Sequence, residues 1–318
     1  MRILVTAPYP AHRLEELRNW FGTVIYQPWI ERGTAYSAEE LKELIRQTEA
    51  EALITELDEL TQEVIDSWKP KPRFVAICRA TPSTIDLNAL KEQDIPIFTA
   101  PARNIQAVTE WVIANIIAFY RHVHRSEKWL KEGNWTDWLY PYKAFRGQQL
   151  SGKKVGLVGL GAVGQSVAKL LEAFACEISY YDPYVPQERF PHYTVKSLAE
   201  IFAESDIVSL HLPSIPQTRR MITRELLQLL RPDALFVNSS RASVVDNEAL
   251  IEILENRRIL GAVVDVYDHE PPTEQDMRLI RLDNVLATPH IAGSTVEVVH
   301  NHAQIINAAL YEWHVSKQ

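Results

Sequence analysis

Four ionisable residues in the second half of the chain each follow a short apolar run. Arg241 follows a run ending at Asn238, Asp265 closes the run Gly261–Val264, Glu270 lies in the loop beyond it, and His290 follows a run ending at Thr288. If these runs are parallel strands, all four residues stand at carboxyl ends, where open α/β sheets bind ligands. Any one of them alone reads equally well as a solvated loop residue or half of a structural ion pair. Together they supply what hydride transfer from a secondary alcohol needs. An arginine grips a substrate carboxylate bidentately. A histidine takes the hydroxyl proton. A carboxylate, here Glu270, orients that histidine and stabilises its protonated form. Asp265 would either support the nicotinamide side of such a site or tune the His–Glu pair.

A hydride also needs an acceptor, and residues 153–182 provide a place for one. An apolar run at 155–158 leads into Gly159-x-Gly161-x-x-Gly164. Val163, Val167, Leu170, Leu171 and Phe174 then recur at helical intervals, and a second apolar run at 178–181 ends in Asp182. Strand, tight turn, helix, strand and acid in this order form a dinucleotide-binding pattern. Gly159 permits the turn, Gly161 lets a pyrophosphate approach the backbone, and Gly164 lets the helix pack on the strand. The helix N-terminus offers free N–H groups and a positive dipole end to the phosphates. Asp182 stands 18 residues beyond Gly164, close to the roughly 20 expected of the acid that takes the adenosine ribose. Its carboxylate accepts from a ribose diol and repels a 2′-phosphate, so NAD rather than NADP is expected.

The elements that must position these groups alternate along the whole chain. Strand-like runs at 3–6, 23–26, 52–55, 74–78 and 95–98 are separated by helical patterns, one opened by the capping box Ser37-x-x-Glu40. This implies a parallel sheet with helices on both faces. The loop after the first run, Ala7-Pro8-Tyr9-Pro10, carries no glycine, so the first hundred residues are expected to hold something other than the dinucleotide. Residues 104–131 read as one long helix ended by Gly133. Residues 134–149 read as irregular, with Trp135, Trp138, Tyr140, Tyr142 and Phe145. They are either a packed loop or an arm that dimerises and caps a neighbouring active site. Runs at 207–212, 234–238, 260–265 and 285–288 continue the rhythm, with helices at 224–230 and 247–256 and a capping box at Ser197-x-x-Glu200. A last helix from 294 to about 313, opened by Ser294-x-x-Glu297, is expected to return to the first domain.

At 318 residues the chain is expected to make two domains. A net charge of −8 disfavours nucleic-acid or anionic-membrane partners. The most apolar stretch, 111–120, is too short to span a bilayer and contains Asn115. Met1 leads straight into a strand-like run, without a signal-peptide pattern. Cys78 and Cys176 match no metal or redox spacing and read as small buried hydrophobes in a reducing cytosol. The pairs His122/His124 and His300/His302 lie two apart on expected helices and do not share a face, so no metal site is expected.

The stretches GLVGLGAVGQ (156–165), LHLPSIPQTR (210–219), LFVNSSRASVVDNEAL (235–250), GAVVDVYDHEP (261–271) and NVLATPHIAGST (284–295) resemble the D-isomer-specific 2-hydroxyacid dehydrogenase family, in its phosphoglycerate dehydrogenase-like branch. The resemblance implies an α/β fold of two doubly wound parallel-sheet domains. A Rossmann cofactor domain (102–290) is inserted into a flavodoxin-like substrate domain (1–101 plus 291–318), with hinges near 101–103 and 290–293. It implies a cytoplasmic homodimer that uses NAD on a small 2-hydroxy or 2-keto acid. Arg241 becomes the carboxylate anchor, His290 the acid/base and Glu270 its partner. Ala162 and Val163 join the three glycines on the cofactor, Ser239 and Asp265 line the nicotinamide pocket, and His211, Pro213 and Thr218 lie nearer the adenosine end. Gly293, Arg241 and His290 also border the cofactor. Related formate dehydrogenases carry glutamine opposite this histidine, so Glu270 argues for a hydroxyacid. The alternative is a corepressor-like protein that senses NAD(H) with little turnover, and the intact Arg–Glu–His set argues against it.

The first domain departs from the family pattern. Relatives place a glycine-rich loop where this chain has Arg79-Ala80-Thr81-Pro82, and Pro82 removes a backbone donor. Arg79, with the N–H groups of Ala80 and Thr81, is expected to hold the substrate's distal or carboxylate end, which would suit a phosphorylated or polyhydroxylated acid. A structural ion pair is the competing role for Arg79. Arg103, in Pro101-x-Arg103-Asn104, also bears on the shape of the pocket.

Overall fold

The computed structural model describes residues 1–80 and 82–317. They form two compact units, Met1–Asn104 with Ser294–Gln318, and Ile105–Gly293. Among the described residues the first unit has five strands: β1 (Arg2–Val5), β2 (Thr23–Tyr26), β3 (Ala52–Thr55), β4 (Val75–Ile77) and β5 (Ile97–Thr99). They pair in parallel in the order β2-β1-β3-β4-β5, the flavodoxin-like order. Ile3, Leu4 and Val5 of β1 and Ala52, Leu53 and Ile54 of β3 are all fully buried. Such runs are continuously apolar because helices cover both faces of the sheet. Leu14 and Leu17 of helix Ala11–Phe21 and Ala303, Ile306 and Leu310 of the last helix, Val296–Val315, close one face. Leu41, Ile45, Val64 and Leu90 close the other.

In the second unit, seven strands are present among the described residues: β6 (Lys154–Val158), β7 (Glu177–Tyr181), β8 (Thr194–Val195), β9 (Ile207–Leu210), β10 (Leu235–Asn238), β11 (Gly261–Val264) and β12 (Val285–Ala287). Their order is β12-β11-β10-β9-β6-β7-β8, all parallel. The Rossmann switch point falls between β6 and β9. Val112, Ile116, Val167 and Leu171 pack on one face and Phe202, Leu250 and Leu254 on the other. Among the described residues no helix is long and apolar enough to cross a membrane.

The structure corrects the sequence reading in several places. The expected helix 104–131 is two, Ile105–Tyr120 and Val123–Lys131, because His122 turns into the left-handed region at φ 52°. The carbonyl of Tyr120 accepts the N–H of Gln148 at 3.0 Å instead of continuing the helix. Gly147 makes that approach possible, since a Cβ there would lie 2.2 Å from the same oxygen. Residues 134–149 are not wholly irregular: Leu139–Ala144 is helical, and Trp129 stacks on Tyr140 with ring centres 5.5 Å apart. The Ser37 and Ser197 capping boxes form. The expected Ser294 box does not, because Thr295 occupies the N-cap position. An unforeseen box forms instead where the Thr273 hydroxyl and N–H both donate to Asp276, at 2.6 and 2.9 Å.

The two units divide at 104/105 and 293/294, and side chains on each flank belong to one unit. Arg103 donates to Glu56 at 2.7 Å and meets His302 Nδ1 at 3.1 Å, which ties it to the first unit. The N–H groups of Ile291 and Ala292 are held by Asp265 of the second.

Candidate active site

The glycine turn runs from the end of β6 into helix Ala162–Glu172. Gly159 has φ +96°, and a Cβ there would sit 2.6 Å from the carbonyl oxygen of His211, which follows β9 across the switch point. A Cβ on Gly164 would sit 2.3 Å from the oxygen of Gly159. Those two glycines are demanded by the protein itself. Gly161 is different, because a Cβ there would meet nothing within 4 Å. Open space beside an exposed helix N-terminus, with Ala162 exposed and Val163 half-buried, is what an approaching pyrophosphate requires. Asp182, just past β7, accepts the N–H of Leu160 at 2.8 Å and of Tyr184 at 2.9 Å. The acid therefore also fixes the glycine turn, an arrangement the residue spacing did not reveal.

Two further polar groups lie beyond the central strands. His211 meets Ser209 Oγ at 3.1 Å, and burial lowers its pKa to about 4, so the ring is neutral at pH 7. Thr218 donates to the carbonyl of Pro213 at 2.6 Å and accepts from the N–H of Ile215 at 3.1 Å. Its hydroxyl thus closes the 213–218 loop on itself. Ser239, after β10, has a buried Oγ with no hydrogen-bond partner among the described residues. Orphaned buried hydroxyls are uncommon and call for a partner from outside the chain. Together with the open space at Gly161, that hydroxyl fits this strand edge to a dinucleotide.

Glu270 and His290 come together: Glu270 Oε2 lies 2.6 Å from His290 Nδ1, with both side chains about 40% exposed (39% and 41%). A carboxylate only accepts, so Nδ1 carries the hydrogen of this contact and Nε2 is the other ring nitrogen, outside it. Glu270 Oε1 takes the N–H of Tyr267 at 3.2 Å. His290 adopts φ +54°, a left-handed conformation that a non-glycine residue keeps only under external restraint. Asp265 supplies the restraint. Fully buried, it accepts the Thr288 hydroxyl, the Ile291 N–H at 2.9 Å and the Ala292 N–H at 2.7 Å. It braces the segment carrying His290 from both sides, a task distinct from the two considered for it from sequence. Arg241 is exposed, donates to the Ser240 carbonyl at 2.6 Å and has no acidic partner among the described residues. Gly293 closes the segment, half-buried.

In the first unit Arg79 follows β4, half-buried, and its carbonyl accepts the N–H of Ala100 at 3.2 Å. Ala80 is exposed, and Thr81 lies outside the described residues. Arg103 is committed to Glu56 and His302. His302 is fully buried and reaches the Pro8 carbonyl through Nε2 at 2.8 Å, whereas His300 is exposed and stacks on His12. The two histidines therefore point to different surroundings. Among the described residues no group of three or more His, Cys, Asp or Glu is placed to hold a metal ion.

Fold and site together define a dinucleotide-dependent oxidoreductase. Residues 113–292, more than half of the chain, match the family described as D-isomer specific 2-hydroxyacid dehydrogenase, NAD binding domain. The chain is 50% identical over 314 residues to the Bacillus subtilis (strain 168) protein named "Putative 2-hydroxyacid dehydrogenase YoaD", covering 98% of this chain and 91% of that one. It is 35% identical over 260 residues to the hydroxypyruvate reductase of Thermotoga maritima, covering 81% and 82%. A crystal structure of a Thermus thermophilus protein superposes with a TM-score of 0.82 at 31% identity, over 98% of this chain and 94% of that one. The chain belongs to the D-isomer-specific 2-hydroxyacid dehydrogenase family. It is an NAD-dependent oxidoreductase that interconverts a D-2-hydroxyacid and its 2-keto acid.

Proposed function

We propose that His290 is the acid/base of this reaction, Glu270 its orienting partner and Arg241 the anchor for the substrate carboxylate. The observation that carries the reading is the 2.6 Å pairing of Glu270 with His290 Nδ1, which leaves Nε2 open in an exposed ring. The cofactor would lie along the glycine turn at Gly159, Gly161, Ala162, Val163 and Gly164. Asp182 would take the ribose, and His211, Pro213 and Thr218 would border the adenosine end. Ser239, Asp265, Arg241, His290 and Gly293 would surround the nicotinamide end. Bound NADH supplies the hydride that reduces C2 of the keto acid. In that direction His290 Nε2 delivers the proton to the developing alkoxide, and Glu270 offsets the charge of the imidazolium before it does so. Arg241 holds the carboxylate so that C2 presents one face.

The second unit is thus the cofactor domain and the first unit the substrate domain. Arg79, with the backbone of Ala80, would take the end of the substrate away from C2. The small, polar keto acid reduced by the Thermotoga maritima relative suggests hydroxypyruvate as the first compound to test. We also assign a homodimer, formed through the aromatic stretch 134–149, where Trp135, Trp138 and Tyr142 are 61%, 79% and 74% exposed. Patches of this kind mark interfaces. Two unpaired cysteines and a net charge of −8 support a cytoplasmic enzyme without nucleic-acid partners. The test is NADH oxidation against glyoxylate, hydroxypyruvate, pyruvate, phenylpyruvate and phosphorylated sugar keto acids, with NADPH in parallel. Turnover preferring NADH is expected. Binding of NADH without turnover of any keto acid would favour a cofactor-sensing protein instead.

A further inference from the structure

We infer that Tyr267 is a positioning residue that sets the Glu270–His290 pair from both ends. The inference rests on the acid/base reading of His290. Tyr267 lies in the loop after β11, half-buried, between Asp265 and Glu270. Its backbone N–H donates to Glu270 Oε1 at 3.2 Å. Its phenol Oη donates to the carbonyl oxygen of Thr288 at 2.8 Å. That same carbonyl accepts the N–H of His290 at 3.0 Å.

One residue therefore holds the free oxygen of the glutamate and, through one shared oxygen, the backbone of the histidine. Glu270 and His290 come from different loops, after β11 and β12, and each has an exposed side chain. Nothing in their own burial fixes the 2.6 Å separation between them. Asp265 braces the His290 segment by its Thr288 hydroxyl, Ile291 and Ala292 bonds but does not touch Glu270. Asp276 accepts the N–H of Asp268 at 3.2 Å and meets His269 Nδ1 at 3.1 Å, bracing the Glu270 loop without reaching His290. Among the described residues Tyr267 alone hydrogen-bonds both Glu270 and the Thr288 carbonyl that holds the His290 backbone. Desolvation keeps its phenol protonated, and hence a donor, well above neutral pH.

The reaction needs the proton-bearing nitrogen within a fraction of an ångström of its productive place. Phenylalanine at 267 keeps the ring and the backbone N–H but releases Thr288. The experiment compares Tyr267→Phe, Glu270→Gln and the double variant, assayed by NADH oxidation with the panel's best 2-keto acid. Tyr120→Phe serves as a control that loses another tyrosine–carbonyl bond of the same unit, to Asp206 at 3.4 Å. Tyr267→Phe is expected to lower kcat about tenfold, with KM for the keto acid and the dissociation constant for NADH within about twofold of wild type. The double variant is expected to be no slower than Glu270→Gln alone, because both changes act on one pair.

Tyr120→Phe is expected to keep wild-type kcat. The proposal fails if Tyr267→Phe keeps wild-type kcat, if its loss appears in KM, or if the two losses multiply in the double variant. Failure of the underlying acid/base reading shows separately, as a His290→Gln enzyme that still turns over at the wild-type rate.

Discussion

Asp265→Asn puts the largest local demand on the structure. The carboxylate is fully buried and accepts three hydrogen bonds, the Thr288 hydroxyl and Ile291 N–H on Oδ1 and the Ala292 N–H on Oδ2. Asparagine must replace one oxygen by an NH2 group. Placed at Oδ1, the amide would face two donors. Placed at Oδ2, it faces only the N–H of Ala292, itself 4% exposed, and this is the less costly choice. One buried N–H then loses its acceptor, at about 1–3 kcal/mol. The two remaining bonds lose their charge assistance, which about halves them. A total near 2–4 kcal/mol follows, and at ~2–4 °C per kcal/mol for a domain of this size the midpoint should fall by roughly 5–15 °C.

The same change releases the segment that keeps His290 at φ +54°, so kcat should fall by about 10- to 100-fold. Differential scanning fluorimetry with and without NADH, together with steady-state NADH oxidation, reads both quantities. A variant with wild-type midpoint and wild-type kcat would refute the idea that this buried carboxylate braces the segment carrying His290.

The glycines should separate into two kinds. Gly164→Ala forces a methyl to 2.3 Å from the Gly159 oxygen and should destabilise the second unit by about 1–3 kcal/mol. Gly161→Ala meets no protein atom, so it should leave the melting midpoint unchanged while weakening NADH binding in a fluorescence titration. His302 gives a pH dependence. Its Nδ1 faces the Arg103 guanidinium and its Nε2 donates to Pro8, and burial first, with Arg103 adding, holds its pKa below the ordinary 6.5. The unfolded chain therefore binds the proton first as pH falls. The neutral ring contributes stability fully above about 6.5, and that stability is lost as pH drops from there through the lower folded value. His302→Gln should flatten the fall of the melting midpoint as pH drops below about 6.5, and a wild-type slope in the variant would contradict this assignment.

Much of this was legible in the residues. Apolar runs marked each strand longer than two residues, most strongly in β3, β10 and β11, where a parallel sheet covered on both faces buries every position. β8 left no such signal, since its two exposed edge residues have no face to bury. The Gly159-x-Gly161-x-x-Gly164 turn and the four residues at strand ends were visible because each stands at a fixed offset from its strand. The break at His122 was not, because it depends on Gly147 approaching from a distant part of the chain. Asp265, Asp182 and Tyr267 show the same limit. The two acids announced chemistry by type and Tyr267 drew no reading from sequence, but the work of all three is to hold backbone groups of other loops, and no local spacing encodes that. Arg103 read as bearing on the shape of the pocket; its bonds to Glu56 and His302, a pairing set by three separate segments, could not be read from sequence.

The most direct test of the account is a comparison of wild type with His290→Gln, measuring NADH oxidation with the best 2-keto acid of the panel and NADH binding in the same preparations. The expected result is NADH affinity within about twofold of wild type and a kcat lower by at least about 10²-fold, the usual contribution of a positioned acid/base. An enzyme that still reduces the keto acid at the wild-type rate would contradict the assignment of proton transfer to His290 and, with it, the role given to Glu270.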